Sequence, residues 1–184
     1  MTERARQVLD DARAAVSAHR EDLFGPAFRI CWFTVVGLLR SVGHVLGKVD
    51  STHSPEMAAA IARAWSRLVE SKPEPAIFWG FIDSERNRFL KNYEHGITRM
   101  RIFRSSGPSP QVLAVDLANA SAKVAQFVTA VNMPEHVPDR SVISVLASGS
   151  FEGKPDLEVA TEAITWWEQY LLKIELEAES SAVA

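Results

Sequence analysis

The 184 residues are 47% hydrophobic and carry 20 basic against 23 acidic side chains, a formal charge of −3. That length and apolar content suit one domain around one core. The single cysteine, Cys31, excludes an internal disulfide and, set in an apolar run, reads as a packed thiol in a reducing compartment. The N-terminus MTERARQVLDDARAAV is charged and amphipathic, without the apolar run and small-residue cleavage site of a secretory signal, so the expected location is cytoplasmic.

The charge is unevenly placed. Glu85 to Arg104 holds six basic and two acidic side chains, net +4, whereas Glu152 to Glu179 holds eight acidic and two basic, net −6. Either the patches partly neutralise each other, within the fold or across a dimer, or the basic one meets phosphate, with Arg99, Arg101 and Arg104 as RNA contacts.

Residues 3–22 place Ala5, Val8, Leu9, Ala12, Ala15, Val16 and His19 at spacings of three and four, the pattern of an amphipathic helix. Gly25 and Pro26 end it and open the next, since glycine suits a helix C-cap and proline a first turn. The second helix, Pro26 to about Lys48, is apolar on nearly every side and is expected to be wrapped by other helices. Only Ile30 to Leu39 passes without a charge, short of the roughly 20 residues that a bilayer crossing needs. Arg29, Phe33, Val36, Arg40, Gly43, His44 and Gly47 share one side of it at about 100° per residue. Mid-helix glycine costs about 1 kcal/mol relative to alanine, so Gly37, Gly43 and Gly47 imply a closely approaching neighbour, with the polar groups facing it. Ser54 and Pro55 cap a third helix with Met57, Ile61, Ala64, Trp65 and Leu68 on one side, broken by the prolines of KPEPA.

A fourth helix, Ala76 to about His95, carries Phe78, Phe81, Ile82, Phe89 and Tyr93 as its apolar face. Glu85 and Asn92 project into the middle of that face, flanked by Arg88 and His95 seven residues apart. A buried carboxylate needs a cation and hydrogen bonds, which Arg88, Arg40 or His44 would supply. The cluster reads either as a polar network fixing helix register or as a site built on rigid helices.

Beyond Gly96, Thr98 to Phe103 alternates in period two, SSGPSP is a turn or loop, and Gln111 to Val115 is a short apolar run. Residues 116–131 fit a further helix or a strand and loop. SVISVLASGSF is expected to pair with the strand near residue 100, and Gly153 with Lys154 to turn. Asp156 caps a last helix, Leu157 to about Glu177, with Ala160, Ala163, Ile164, Trp167, Leu171 and Ile174 inward. Trp166 and Tyr170 widen its stripe toward a dimer surface, and the tail ESSAVA is expected to fray. The expected fold is a mainly α bundle of four to five long helices, a single domain over 1–184 with a small antiparallel β insertion at about 97–151.

No glycine-rich phosphate loop, zinc spacing or calcium loop occurs, and the five histidines lack metal-ligand spacing, so neither metal nor cofactor is expected. Two pairings remain, Arg88 with His95 and Arg40 with His44; on RNA the histidine would move a proton while the arginine steadies phosphate charge. The stretches LLRSVGHVLGKVD, AIFWGFIDSERNRFLKNYEHG and FEGKPDLEVATEAITWWEQYLLKI resemble a family of uncharacterised bacterial proteins over about 60 residues. More distantly, a helical chain with Arg88, six intervening residues and His95 resembles HEPN domains, helical dimers of toxins and antiviral defence. That resemblance implies a homodimer that cleaves or binds RNA without a metal, Arg88 and His95 being catalytic and Glu85 and Asn92 orienting them. Phe89 stands where the family prefers a polar residue, and Asn87 precedes the arginine instead of following it. The alternative expectation is a non-enzymatic protein–protein interaction module in which the same residues form a structural core network. Neither reading involves a membrane.

Overall fold

A computed structural model describes residues 1–20, 23–103, 111–114 and 140–182. Among these, the α-helices are α1 (Glu3–Ser17), α2 (Gly25–Lys48), α3 (Pro55–Glu70), α4 (Ser84–Asn92) and α5 (Asp156–Ala182). Strands β1 (Ile97–Phe103), β2 (Gln111–Ala114) and β3 (Arg140–Leu146) form one antiparallel sheet in the order β2-β1-β3. The chain is thus a mainly α bundle with a small β insertion. The short apolar run supplies an additional strand, β2, and the expectations for residues 116–131 and Arg104 lie outside the described residues.

Helix α2 runs through the bundle, burying Phe28, Trp32, Val35, Val36, Leu39, Val42 and Leu46 against α1, α4 and α5. It is not wrapped on every side, as its composition suggested. Ile30 is 64% exposed, and Thr34 and His44 are exposed as well. By length and composition alone Gly25–Thr52 would also suit a membrane crossing. Of the three glycines, Gly43 meets the expected close approach: a Cβ there would lie 2.9 Å from the Trp167 ring. Gly37 and Gly47 face open space, where an added Cβ meets nothing within 4 Å.

Helix α1 stops at Ser17, short of residue 22, and its start is pinned from two directions. The buried Asp50 carboxylate accepts from the Arg4 and Ala5 N–H groups at 3.1 and 2.9 Å, satisfying donors that a helix N-terminus leaves free. Glu175 of α5 accepts from the Thr2 N–H and hydroxyl at 3.0 and 2.7 Å and pairs with Arg6 at 2.6 Å. Ser54 caps α3 by accepting from the Met57 N–H at 3.2 Å. Trp65, expected inward on α3, is 41% exposed.

The fourth helix opens as a π-helical stretch, Ile77–Asp83, before settling into α4. Hydrogen bonding from i to i+5 widens the turn, so a projection at 100° per residue loses phase across it. The run ends at Asn92, because Tyr93 adopts a left-handed backbone with φ 56°. Tyr93, expected on the inner face, is therefore 65% exposed, and His95 lies in the turn before β1 rather than on the helix. At the other end of the chain α5 continues to Ala182, past the expected limit at Glu177. Trp166 and Tyr170 stack at 5.0 Å, and Trp166 closes on Phe78 at 5.3 Å, so much of the wide α5 stripe is covered within the chain.

Candidate functional site

Glu85 is the centre of the predicted site and is only 5% exposed. Its Oε2 accepts from the Gly96 N–H at 2.9 Å and from the Trp32 indole N–H at 3.4 Å, and Arg88, one turn on, lies 3.6 Å from Oε1. Of the three partners expected for this carboxylate, Arg88 is the cation beside it, Arg40 pairing with Asp83 instead, and two neutral donors complete its shell. Gly96 is required here: a Cβ would collide with the Glu85 carboxylate and come within 2.8 Å of the Arg88 guanidinium. Arg88 also donates to the Ser148 hydroxyl at 3.1 Å. The cluster ties α4, α2 and the turn into β1 to one another.

The other two members of the predicted catalytic set do not converge on Glu85 as a helical face would have placed them. Asn92, expected in the middle of an apolar face, is exposed at the end of α4. His95 is half-buried, its ring edge-on to Phe28 with centroids 5.2 Å apart, and its Nδ1 accepts from the Ile97 N–H at 3.4 Å.

Phe28 is the hub of a second cluster that the sequence did not announce. Arg99, expected on an RNA-facing surface, is 4% exposed with its guanidinium 4.2 Å from the Phe28 ring centroid and 5.2 Å from that of Phe24. Antiparallel register sets Arg99 opposite Ser144, whose hydroxyl accepts from Nη1 at 3.1 Å, and Asp156 at the start of α5 lies 3.6 Å from the same nitrogen. A buried cation so placed is held by its carboxylate and by the ring face. The strand turns this arginine inward, which is the reason it is not a surface contact. Arg101 lies on β1, where it pairs in register with Val142.

His19 reaches the same cluster from the turn after α1, edge-on to Phe28 at 5.5 Å. Both of its ring nitrogens are buried without a hydrogen-bond partner among the described residues. Burial pushes its pKa down, and the Arg99 charge adds to that, against the pull of Asp156. The Asp156 carboxyl is pushed up by burial, opposed by the Ser144 hydroxyl, His19, Arg99 and the Leu157 N–H. Burial likewise raises the Cys31 thiol. A general base must be reached by its substrate, and both ring nitrogens of the half-buried His19 are covered. The one signal for it in the sequence was a titratable residue in an otherwise apolar three-four series. Ser144 carried none, because strand pairing over 45 residues assembles its contact with Arg99, and Asp156 was marked only as a helix cap.

The second predicted pair, one turn apart on α2, stays on one groove wall, but its members are differently engaged. Arg40 donates from Nε to Asp83 at 3.2 Å and lies 5.8 Å from the Phe78 ring centroid, while His44 is exposed. No set of three or more His, Cys, Asp or Glu side chains suited to a metal occurs among the described residues. No protein-family model, curated protein or solved structure matches the chain.

Proposed function

We propose that the chain is a non-enzymatic helical interaction module that pairs with a second copy of itself through the uncovered side of α2 and α4. The observation that carries this reading is an aromatic strip left at the surface while the Glu85 and Arg99 clusters are engaged by the fold. Phe33 stacks on Phe89 at 4.1 Å, Phe89 meets Tyr93 at 5.0 Å, and Ile30, 64% exposed, continues the strip one turn along α2. Leu90, 55% exposed, lies beside it. Half-buried Phe33 and Phe89 flanked by exposed Ile30, Leu90 and Tyr93 make an apolar surface of the kind found at interfaces. Glu85, Arg88 and Arg99 are meanwhile engaged in contacts that join elements, which supports a structural role for each.

One observation favours the ribonuclease reading: Arg88 and His95 both border the turn at Gly96, and both keep some exposure. The test is hydrolysis of a single-stranded RNA by purified wild type and His95→Ala, together with growth of cells expressing each. The interaction-module reading predicts no cleavage above buffer and equal growth. Cleavage and slowed growth by wild type, both relieved by His95→Ala, would overturn it in favour of the HEPN-like alternative.

A further inference from the structure

Helices α2 and α3 are joined by a short 3-10 turn, Asp50–Thr52, and leave between them a groove of about 430 Å³. Arg40, His44 and Lys48 recur every four residues along its α2 wall, spanning about 12 Å at 1.5 Å rise per residue. The α3 wall contributes small side chains, Ala58 and Ala62, leading to the Trp65 ring, which is 41% exposed. Arg40 and Trp65 mark one end, each lying near Phe78, at 5.8 and 6.1 Å from its ring centroid. Lys48 and Ser51 lie at the other end, where the chain turns between the helices. Among the described residues no carboxylate lines the groove.

Two features of this groove are unused by the fold. Arg40 is held by Asp83, but His44 and Lys48 are exposed and neither has an ion-pair partner among the described residues. Gly47 sits near the end of a long helix, where alanine would be more stable, yet a Cβ there would meet nothing within 4 Å. Packing does not require this glycine, and it leaves the groove wall bare beside His44 and Lys48.

We infer that the groove binds a mononucleotide, its base stacked on Trp65 and its phosphate held by His44 and Lys48. This site is separate from the aromatic strip proposed for self-association. The volume falls within the roughly 300–1,000 Å³ of small-molecule sites. An indole face accepts any flat heterocycle by stacking, and a compact anion is matched by cations in a groove without opposing carboxylates. With the Arg40 charge already paired to Asp83 at the Trp65 end, the unpaired Lys48 lies toward the other end, as base and phosphate lie apart in a nucleotide. A bare phosphate would leave Trp65 unused, and an acidic peptide would lack the flat ring.

Isothermal titration of the full chain with adenosine 5′-monophosphate, adenosine and inorganic phosphate tests this. The nucleotide should bind one per chain and at least about tenfold tighter than either fragment, since each fragment makes only part of the contacts. Lys48→Glu, which reverses an exposed cation, and Gly47→Leu, which fills open space, should each weaken nucleotide binding by about tenfold or more. Gly47→Leu should melt at or above the wild-type midpoint, so its loss of binding is not a loss of fold; should Lys48→Glu fail to fold, Gly47→Leu decides alone. No binding at millimolar nucleotide, binding no tighter than that of phosphate, or wild-type affinity in Gly47→Leu would overturn the proposal. So would a short RNA that binds where the mononucleotide does not.

Discussion

At the scale of single residues, Glu85 carries the most chemistry for its size. Its carboxylate is 5% exposed, but its cation Arg88 keeps 31% of its side chain in solvent, and that asymmetry sets the energetics. Breaking a fully buried pair costs about 3–5 kcal/mol because the surviving charge is stranded. Arg88 would not be stranded, so the cost of Glu85→Gln falls to that of weakening charge-assisted hydrogen bonds, about 1–3 kcal/mol. Urea unfolding checks this, and a change under about 0.5 kcal/mol would place the carboxylate in a hydrated setting instead. The burial of Glu85 and its need for a cation were legible in the sequence, because a charge at the centre of a three-four apolar face must be compensated, but the choice of Arg88 over Arg40 or His44 was not. Gly96 was not legible as its partner, since a backbone N–H donor has no residue type to reveal it.

Among the elements, α1 is held at its start by side chains from the α2–α3 connection and α5 rather than by its own cap. Thr2 provides no side-chain cap, and Asp50 and Glu175 do that work instead. The Arg6 hydrogen bond, followed by bonds from Thr2, holds the Glu175 carboxyl down to about 2 from an ordinary 4.5, against desolvation. A folded-state value below the unfolded one means the contribution to stability is complete above pH 4.5 and is lost as pH falls toward 2. Arg6 is 41% exposed, so solvent screening trims the loss to about 1–2 kcal/mol. Urea unfolding at about pH 5 and about pH 2.5 should show that loss in wild type and not in Glu175→Gln. Equal acid sensitivity in the two would contradict it. The helices themselves were readable from periodicity and from Pro26, Ser54 and Pro55, whereas Gly25, expected to end the first helix, opens the second, and Ala18 is the C-cap of α1. The fourth failed at its two ends, where the π-helical opening shifted the phase and the left-handed Tyr93 ended the helix after Asn92, before His95 could line up with Arg88.

For the whole molecule, charge and apolar surface separate into different tasks. The acidic α5 is neutralised chiefly by α1 and α3, through Arg6 with Glu175, Arg13 with Glu168, and Arg63 and Arg67 with Glu177. The basic stretch after Glu85 contributes Arg99 to Asp156, an inward pair rather than a patch meeting a patch. Net charge along the sequence therefore described composition and not surface, because partners were chosen by helix adjacency. Apolar surface on α2 and α4 was misread for a related reason: a helix apolar on all sides can be covered on one side by its own chain and on the other by a second copy. Sedimentation velocity on wild type and Ile30→Glu tests that claim most directly. A wild-type dimer at micromolar concentration and a folded Ile30→Glu monomer are the predicted results; a wild-type monomer, or a variant dimer as strong as wild type, would contradict it.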